Sequence, residues 1–161
     1  METDAPQTTG PAIPAARPPL QVRLFSPILK ALVSAGVPLG YNGLITIRGR
    51  TSGQPRTAAV AILPRDDSLW VWAPWGEVHW VRNLRAAGRA FITVRRRPKE
   101  EVTARELDEA QRVAFFRDVL GPFARTIPLG AWFIRIIDGV DLNDTEEAAT
   151  RTRVFELHPV R

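Results

Sequence analysis

The sequence predicts a mainly β, α+β fold: an antiparallel six-stranded β-barrel, closed or split, flanked by helices. Apolar, β-branched runs of strand length recur along residues 44–157. Turns such as Arg65-Asp66-Asp67 separate neighbouring runs closely enough for hairpins, which indicates antiparallel pairing. About six strands are too many for one exposed sheet in a chain of 161 residues, so closure into a barrel is favoured.

The N-terminal region divides into two predicted segments. Residues 1–19 contain five prolines and few large apolar groups, which predicts a disordered tail. Residues 20–36 carry apolar residues at helical spacing with a basic fringe, which predicts an amphipathic helix. We expect this helix to pack against the domain, with peripheral contact to a membrane surface as the alternative. Residues 20–161 are then a single domain.

The remaining elements follow in order along the chain. Apolar alternation and turn residues predict strands at 44–47, 57–64, 68–73, 90–96, 101–107 and 153–157. Helical spacing predicts helices at 78–87, 108–120, 131–137 and 144–150. Asp108 is expected to cap the second of these helices and Gly121-Pro122 to end it.

Composition excludes several classes of site. The chain has no cysteine, which excludes disulfides, thiol catalysis and cysteine-ligated metals, and its two histidines lie far apart without carboxylates at ligand spacing. No metal site is therefore predicted. The arginines at 95–97 have few aromatic neighbours, so a solvated turn is favoured over nucleic-acid binding. Acidic residues precede basic ones at the N-terminus and no apolar run reaches transmembrane length, which predicts a cytoplasmic protein.

The segment 49–57 between the first two strands has the composition of an anion site. Gly49 and Gly53 are expected to adopt positive φ, so that backbone N–H groups converge on one point. Arg50 and Arg56 add positive charge. Hydroxyl donors come from Thr51, Ser52 and Thr57. The loop suits a phosphate or a carboxylate, and the alternative is a solvated hairpin turn.

A second candidate surface lies at residues 73–85, where a predicted strand passes into a helix. Gly76 places a turn at the helix N-terminus, which offers unpaired N–H groups. Trp75 and Trp80 offer flat apolar walls. This combination suits a planar heteroaromatic ring, while the alternative is that both tryptophans are core residues.

Two motifs together resemble the deazaflavin-dependent nitroreductase family. They are Gly-Arg-Thr-Ser-Gly-Gln-Pro-Arg-Thr at 49–57 and Trp-Val-Arg-Asn-Leu at 80–84. That family is similar to the split-barrel, flavin-dependent pyridoxamine-phosphate oxidases. The resemblance implies a split-barrel cofactor-binding domain that takes coenzyme F420, a deazaflavin with a phosphate and a polyglutamate tail, with FMN as the alternative. It places the anionic tail on Arg50, Thr51, Ser52, Gly53, Arg56 and Thr57. It places the ring at Trp75, Gly76, Glu77 and Val78, near Trp80 and Asn83.

The resemblance also implies an activity. The reduced deazaflavin would pass hydride to a small hydrophobic acceptor such as a quinone, an enone or a nitroaromatic. No catalytic acid or base can be assigned from the sequence. Split barrels of this kind often pair through a sheet face, so a homodimer is expected. The alternative function is a non-catalytic carrier of a flavin, a deazaflavin or a lipid on the same fold.

Overall fold

The computed structural model describes residues 42–94, 99–128 and 130–160, which form a closed antiparallel barrel of six strands with flanking helices. The strands are β1 (Asn42–Arg48), β2 (Pro55–Arg65), β3 (Ser68–Ala73), β4 (Arg89–Val94), β5 (Glu100–Glu106) and β6 (Arg153–Pro159). Their order around the barrel is β1-β2-β3-β6-β5-β4, and β4 closes the ring by pairing with β1. The predicted fold class is confirmed. The predicted tail at 1–19, the predicted helix at 20–36 and the arginines at 95–97 lie outside the described residues.

The described helices lie between β3 and β4 and between β5 and β6. They are α1 (His79–Ala87), α2 (Glu109–Ala114), a π-helical segment (Phe115–Leu120), α3 (Gly121–Arg125), α4 (Gly130–Ile137) and α5 (Thr145–Arg151). In the described part of the chain, no helix is long and apolar enough to cross a membrane.

The predicted helix at 108–120 begins as expected but does not end as expected. The Asp108 carboxylate accepts from the Gln111 N–H at 2.8 Å, which confirms the predicted cap. The prediction that Gly121-Pro122 terminates the helix is wrong, because the chain continues through a π-helical turn into α3. The Gly121 N–H donates to the Phe116 carbonyl across the wider π turn. Pro122 then lies in the first turn of α3, where the fixed φ of proline is compatible with helical geometry.

Alternation along the strands divides the apolar residues between two cores. On β3, Val71 belongs to the core inside the barrel, whereas Trp72 belongs to a second core between the barrel and the helices that follow β5. On β6, Phe155 belongs to the core inside the barrel and Val154 belongs to the second core. Both faces of β3 and β6 are therefore buried.

Helix α1 is held against the barrel by its apolar face. Val81 and Leu84 have no exposed surface and join the barrel core. Gly88 ends the helix at a φ of 65°, and its N–H donates to the Leu84 carbonyl at 2.8 Å. Because α1 packs on β1, β4 and β5, it lies beside the loop that joins β1 to β2.

Candidate functional site

The loop between β1 and β2 is a tight, internally bonded turn. The Gly49 N–H donates to the Gln54 carbonyl at 2.8 Å, and the Gly53 N–H donates to the Gly49 carbonyl at 2.9 Å. Gly53 has a φ of 68°, as predicted, but the prediction of positive φ is wrong for Gly49. Space around Gly49 is tight, because a Cβ there would lie 3.0 Å from the Ser52 Oγ and 3.1 Å from the Gln54 carbonyl oxygen.

The backbone donors of this loop are largely used within the protein. Besides the two glycine N–H groups, the Arg50 N–H donates to the Asn83 Oδ1 at 3.3 Å and the Gln54 N–H donates to the Ser52 Oγ at 3.3 Å. The prediction that the loop N–H groups converge on an anion is therefore wrong for these four donors. The exposed side chains of the loop supply the charge and the hydroxyls.

A hydrogen bond joins the two sequence motifs. The Arg50 Nη1 donates to the Asn83 Oδ1 at 2.9 Å, and the same oxygen accepts the Arg50 N–H. Asn83 is only 7% exposed, because it lies on α1 between Val81 and Leu84. Asn83 therefore anchors the loop to α1 and restrains both the backbone and the guanidinium of Arg50.

A cavity of about 690 Å³ opens between the loop, the start of β2 and the N-terminus of α1. Most of the predicted site residues line it, namely Arg50, Thr51, Ser52, Arg56, Thr57, Val78, Trp80 and Asn83. Three further residues line it that were not predicted as cofactor contacts, namely Gly49, Ala58 and His79. His79 is the first residue of α1, so its position beside Val78 and Trp80 could have indicated it.

The two sides of this cavity differ in chemistry. On the loop side, Arg50 and Arg56 are exposed, no acidic residue lines the cavity, and neither arginine forms an ion pair with another described residue. On the other side, Trp80 packs against Phe155 in the core with ring centroids 6.1 Å apart, and it also lines the cavity. Trp80 is therefore both a core residue and a wall of the cavity, so both interpretations made from the sequence apply to it. No cluster of histidine, cysteine or acidic residues that could bind a metal exists in the described ranges.

The remaining predicted residues do not line the cavity. Gly53 lies on the far side of the loop, where an added Cβ would be 3.5 Å from the Arg48 Nη2. Gly76 is buried with a φ of 68°, and a Cβ there would lie 3.1 Å from the Arg151 carbonyl oxygen. Trp75, which precedes it, is partly buried.

Glu77 belongs to an ion-pair network outside the cavity. Its carboxylate accepts two hydrogen bonds from Arg85, each 2.9 Å long, and one from the Arg153 Nε at 3.0 Å. Arg85 also donates to Glu106 at 2.6 and 2.7 Å. The hydrogen bonds from Arg85, and then from Arg153, lower the pKa of Glu77 to about 2 against the opposing effect of burial. Glu77 thus ties the β3–α1 loop to α1, and through Arg153 to β6.

Solved structures with this fold were found at low sequence identity. A candidate 5-nitroimidazole antibiotic resistance protein from Bacteroides thetaiotaomicron is 12% identical, with a TM-score of 0.51 over 82% of this chain and 80% of that one. A candidate pyridoxamine 5'-phosphate oxidase from Listeria innocua is 12% identical, with a TM-score of 0.49 over 83% and 94% of the two chains. An F420-H2 dependent reductase, FDR-A, is 18% identical, with a TM-score of 0.45 over 73% and 94%. The first of these supports the barrel fold.

The sequence itself matches a protein family. No match was found among curated proteins. The profile of the F420H(2)-dependent quinone reductase family matches residues 29–124, which include the loop, the cavity and α1. This match confirms the predicted relationship to deazaflavin-dependent reductases and the predicted cofactor, F420. Because it spans more than half of the 161 residues, the chain belongs to the F420H(2)-dependent quinone reductase family and is an F420-dependent reductase.

Proposed function

We propose that the chain binds F420 in the cavity between the β1–β2 loop and α1 and reduces a small hydrophobic acceptor there. A quinone is the first candidate acceptor, because the family profile names it, and enones and nitroaromatics are further electron-poor candidates. The observation that carries the proposal is the hydrogen bond of 2.9 Å between Arg50 and Asn83. That bond brings a basic, hydroxyl-bearing loop and a tryptophan-bearing helix to one cavity.

The residues of the cavity fit the cofactor. A volume of about 690 Å³ is within the range of small-molecule sites. Arg50 and Arg56 offer guanidinium groups without carboxylate neighbours on the cavity wall, which suits a phosphate. Trp80, Val78 and Ala58 give an apolar wall, which suits a planar ring.

The roles of the protein groups follow from this arrangement. When bound, the reduced deazaflavin supplies the hydride. Arg50 and Arg56 hold the phosphate, and Asn83 keeps the Arg50 side chain oriented toward it. Trp80 holds the ring against a wall that Phe155 supports from the core side. The protein thus orients the cofactor and limits the contact of its ring with water.

Titration of the purified protein with oxidised F420, followed by tryptophan fluorescence, tests the binding half of the proposal. We expect quenching at micromolar F420 and weaker quenching by FMN under the same conditions. Absence of quenching by F420 would contradict the proposal. Turnover of F420H2 with a quinone, an enone and a nitroaromatic tests the other half. Tight binding without turnover of any acceptor would favour a carrier.

Three partner and location predictions stay predictions. They are the contact of residues 20–36 with a membrane surface, the pairing of two copies through a sheet face, and a cytoplasmic location. Residues 20–36 lie outside the described residues. Sedimentation of the protein with anionic vesicles and measurement of its mass in solution test the first two.

A further inference from the structure

Among the described residues that line the cofactor cavity, His79 is the only histidine, and none of them carries a carboxylate, a thiol, a phenol or an ammonium group. The guanidinium groups of the lining arginines stay protonated, and the remaining side chains are neutral. Histidine is the side chain that exchanges a proton between about pH 5 and 8. On the described wall of the cavity, proton transfer near neutral pH therefore falls to His79.

Helix α1 places His79 at one end of the cavity. His79 and Asn83 are one turn apart, about 6 Å along the helix axis, and both line the cavity. Asn83 holds Arg50 at the end where the phosphate is proposed to bind. His79 lies between Val78 and Trp80 in the chain, the residues proposed to contact the ring. The imidazole is therefore at the ring end, where the acceptor is reduced.

The fold does not use the imidazole of His79. The residue is exposed, and its side chain has no hydrogen bond or ion pair with another described residue. The second histidine, His158, differs in both respects, since it lies 3.5 Å from the Glu156 carboxylate on β6 and does not line the cavity. Because His79 is exposed, bulk water can replace a proton that its ring gives up.

The nearest acidic residue along the chain is not a proton donor. Glu77 lies two residues before His79, but its carboxylate accepts three hydrogen bonds from Arg85 and Arg153. The hydrogen bonds from Arg85, and then from Arg153, lower the pKa of Glu77 to about 2 against the opposing effect of burial. Glu77 is therefore ionised near neutral pH and has no proton to give.

We propose that His79 donates the proton that completes reduction of the acceptor. This inference rests on the proposed reduction of a quinone in the cavity. The quinone gains two electrons and one proton as a hydride from the reduced cofactor, which is thereby oxidised. It gains the second proton from His79, as an imidazolium N–H bond breaks and a quinol O–H bond forms. Water then returns a proton to the imidazole.

The first test separates proton donation from cofactor binding and from hydride transfer. His79→Gln keeps a polar side chain but removes the donor, so kcat with a quinone should fall about 100-fold, the lower end for general acid catalysis because water competes at an exposed site. A phenothiazinium dye is a cation that a hydride alone converts to its reduced form, so kcat with this acceptor should stay the same. F420 affinity should also stay the same. His158→Gln is the matched control and should equal the wild type with both acceptors.

The second test needs no turnover. The chain has two histidines, so the NMR spectrum of its imidazole groups contains two sets of signals, which His158→Gln assigns. In the complex with oxidised F420, addition of a hydroquinone should shift the His79 signals and leave the His158 signals in place. Shifts of neither histidine, with hydroquinone shown to be bound, would contradict contact between His79 and the product.

The pH dependence links the two tests. The charged groups around His79 are Arg50 and Arg56 on the loop side, Arg82 one turn along α1, and Glu77 before it, and none of them titrates near neutral pH. Because the donor loses its proton as pH rises, kcat with the quinone should fall through the pH at which the His79 signals titrate. His79→Gln should lack this step, and added imidazole should restore part of the activity of His79→Ala.

Two outcomes separate this inference from the function on which it rests. Equal kcat of the wild type and His79→Gln with the quinone, or an equal loss with both acceptors, would overturn proton donation by His79 and leave the proposed function standing. Absence of F420 binding by the wild type would overturn the proposed function, and the role of His79 with it.

Discussion

The β1–β2 loop and the β3–α1 loop have a similar glycine turn, but their charged side chains differ in their partners. Both contain a glycine with a φ of 68°, Gly53 and Gly76, and both were predicted to contact the cofactor. In the first, Arg50 and Arg56 are exposed on a cavity that no acidic residue lines. In the second, Glu77 accepts three hydrogen bonds from Arg85 and Arg153. The two loops thus differ in whether their charges are paired within the fold.

This difference separates binding charges from structural ones. A charge held by fixed partners of opposite sign stabilises the fold and is not available to a ligand. Neighbouring like charges without such partners do not stabilise the fold, but they are available to bind a ligand of opposite charge. The comparison predicts that variants of the first loop change affinity and that variants of the second change the free energy of unfolding.

The largest expected effect is on cofactor affinity. The double variant Arg50→Ala with Arg56→Ala should weaken F420 binding by about 3 kcal/mol, taking the lower end for two charge-assisted hydrogen bonds because both arginines are exposed. The free energy of unfolding should change little. Fluorescence titration and urea denaturation measure the two quantities on the same samples. Unchanged affinity would show that the loop is only a solvated turn.

Asp138, which is half-buried and forms no ion pair with another described residue, should behave in the opposite way to Glu77. Asp138 accepts the Trp72 indole N–H at 3.1 Å, and burial, only partly offset by that hydrogen bond, raises its pKa from 3.8 to about 6. Because the folded pKa exceeds the unfolded one, its favourable contribution is complete below about pH 4 and is lost as pH rises through about 6.

Asp138→Asn should remove this pH dependence. Between about pH 4 and pH 8, the wild-type free energy of unfolding should fall by about 2 kcal/mol relative to the variant, from a pKa difference of about two units. Urea denaturation across this range measures it. Asp67→Asn, which removes the same charge in an exposed turn, is the control and should follow the wild type. Parallel curves for wild type and Asp138→Asn would contradict the prediction.

Glu77→Gln tests the structural side of the comparison. Since the pKa of Glu77 is lowered to about 2, its stabilising effect is present above its ordinary pKa of 4.5 and is lost as pH falls toward 2. At neutral pH the variant should lose about 1 to 2 kcal/mol of unfolding free energy, a value reduced because solvent screens part of the network. F420 affinity should stay the same. A loss of affinity without a loss of stability would place Glu77 at the cofactor after all.

The fold could be predicted because its signals are local. The exposed Phe91 and the buried Ile92 show the alternation of β4 directly, and Asp108 shows the start of α2. The pairing of β3 with β6 is not local, since Val71 pairs with Phe155, a residue far away in the sequence. The continuation through Gly121 and Pro122 depends on a π turn that no residue type specifies.

The site could be predicted only in part, because some of its features depend on contacts between residues that are far apart in the sequence. The types of residue in the 49–57 loop indicate an anion site, and the cavity contains most of them. Sequence shows that Glu77 is charged but not that Arg85 and Arg153 converge on it from two different elements.

The smallest expected effect tests how the two motifs cooperate. Asn83→Ala removes the acceptor of the Arg50 guanidinium, so the side chain loses its orientation and F420 binding should weaken by about 1 kcal/mol, roughly fivefold. A double-variant cycle separates this effect from any change in stability. In the Arg50→Ala background, Asn83→Ala should have no further effect on affinity, because Asn83 acts through Arg50. Additive losses would show instead that Asn83 contacts the cofactor on its own account.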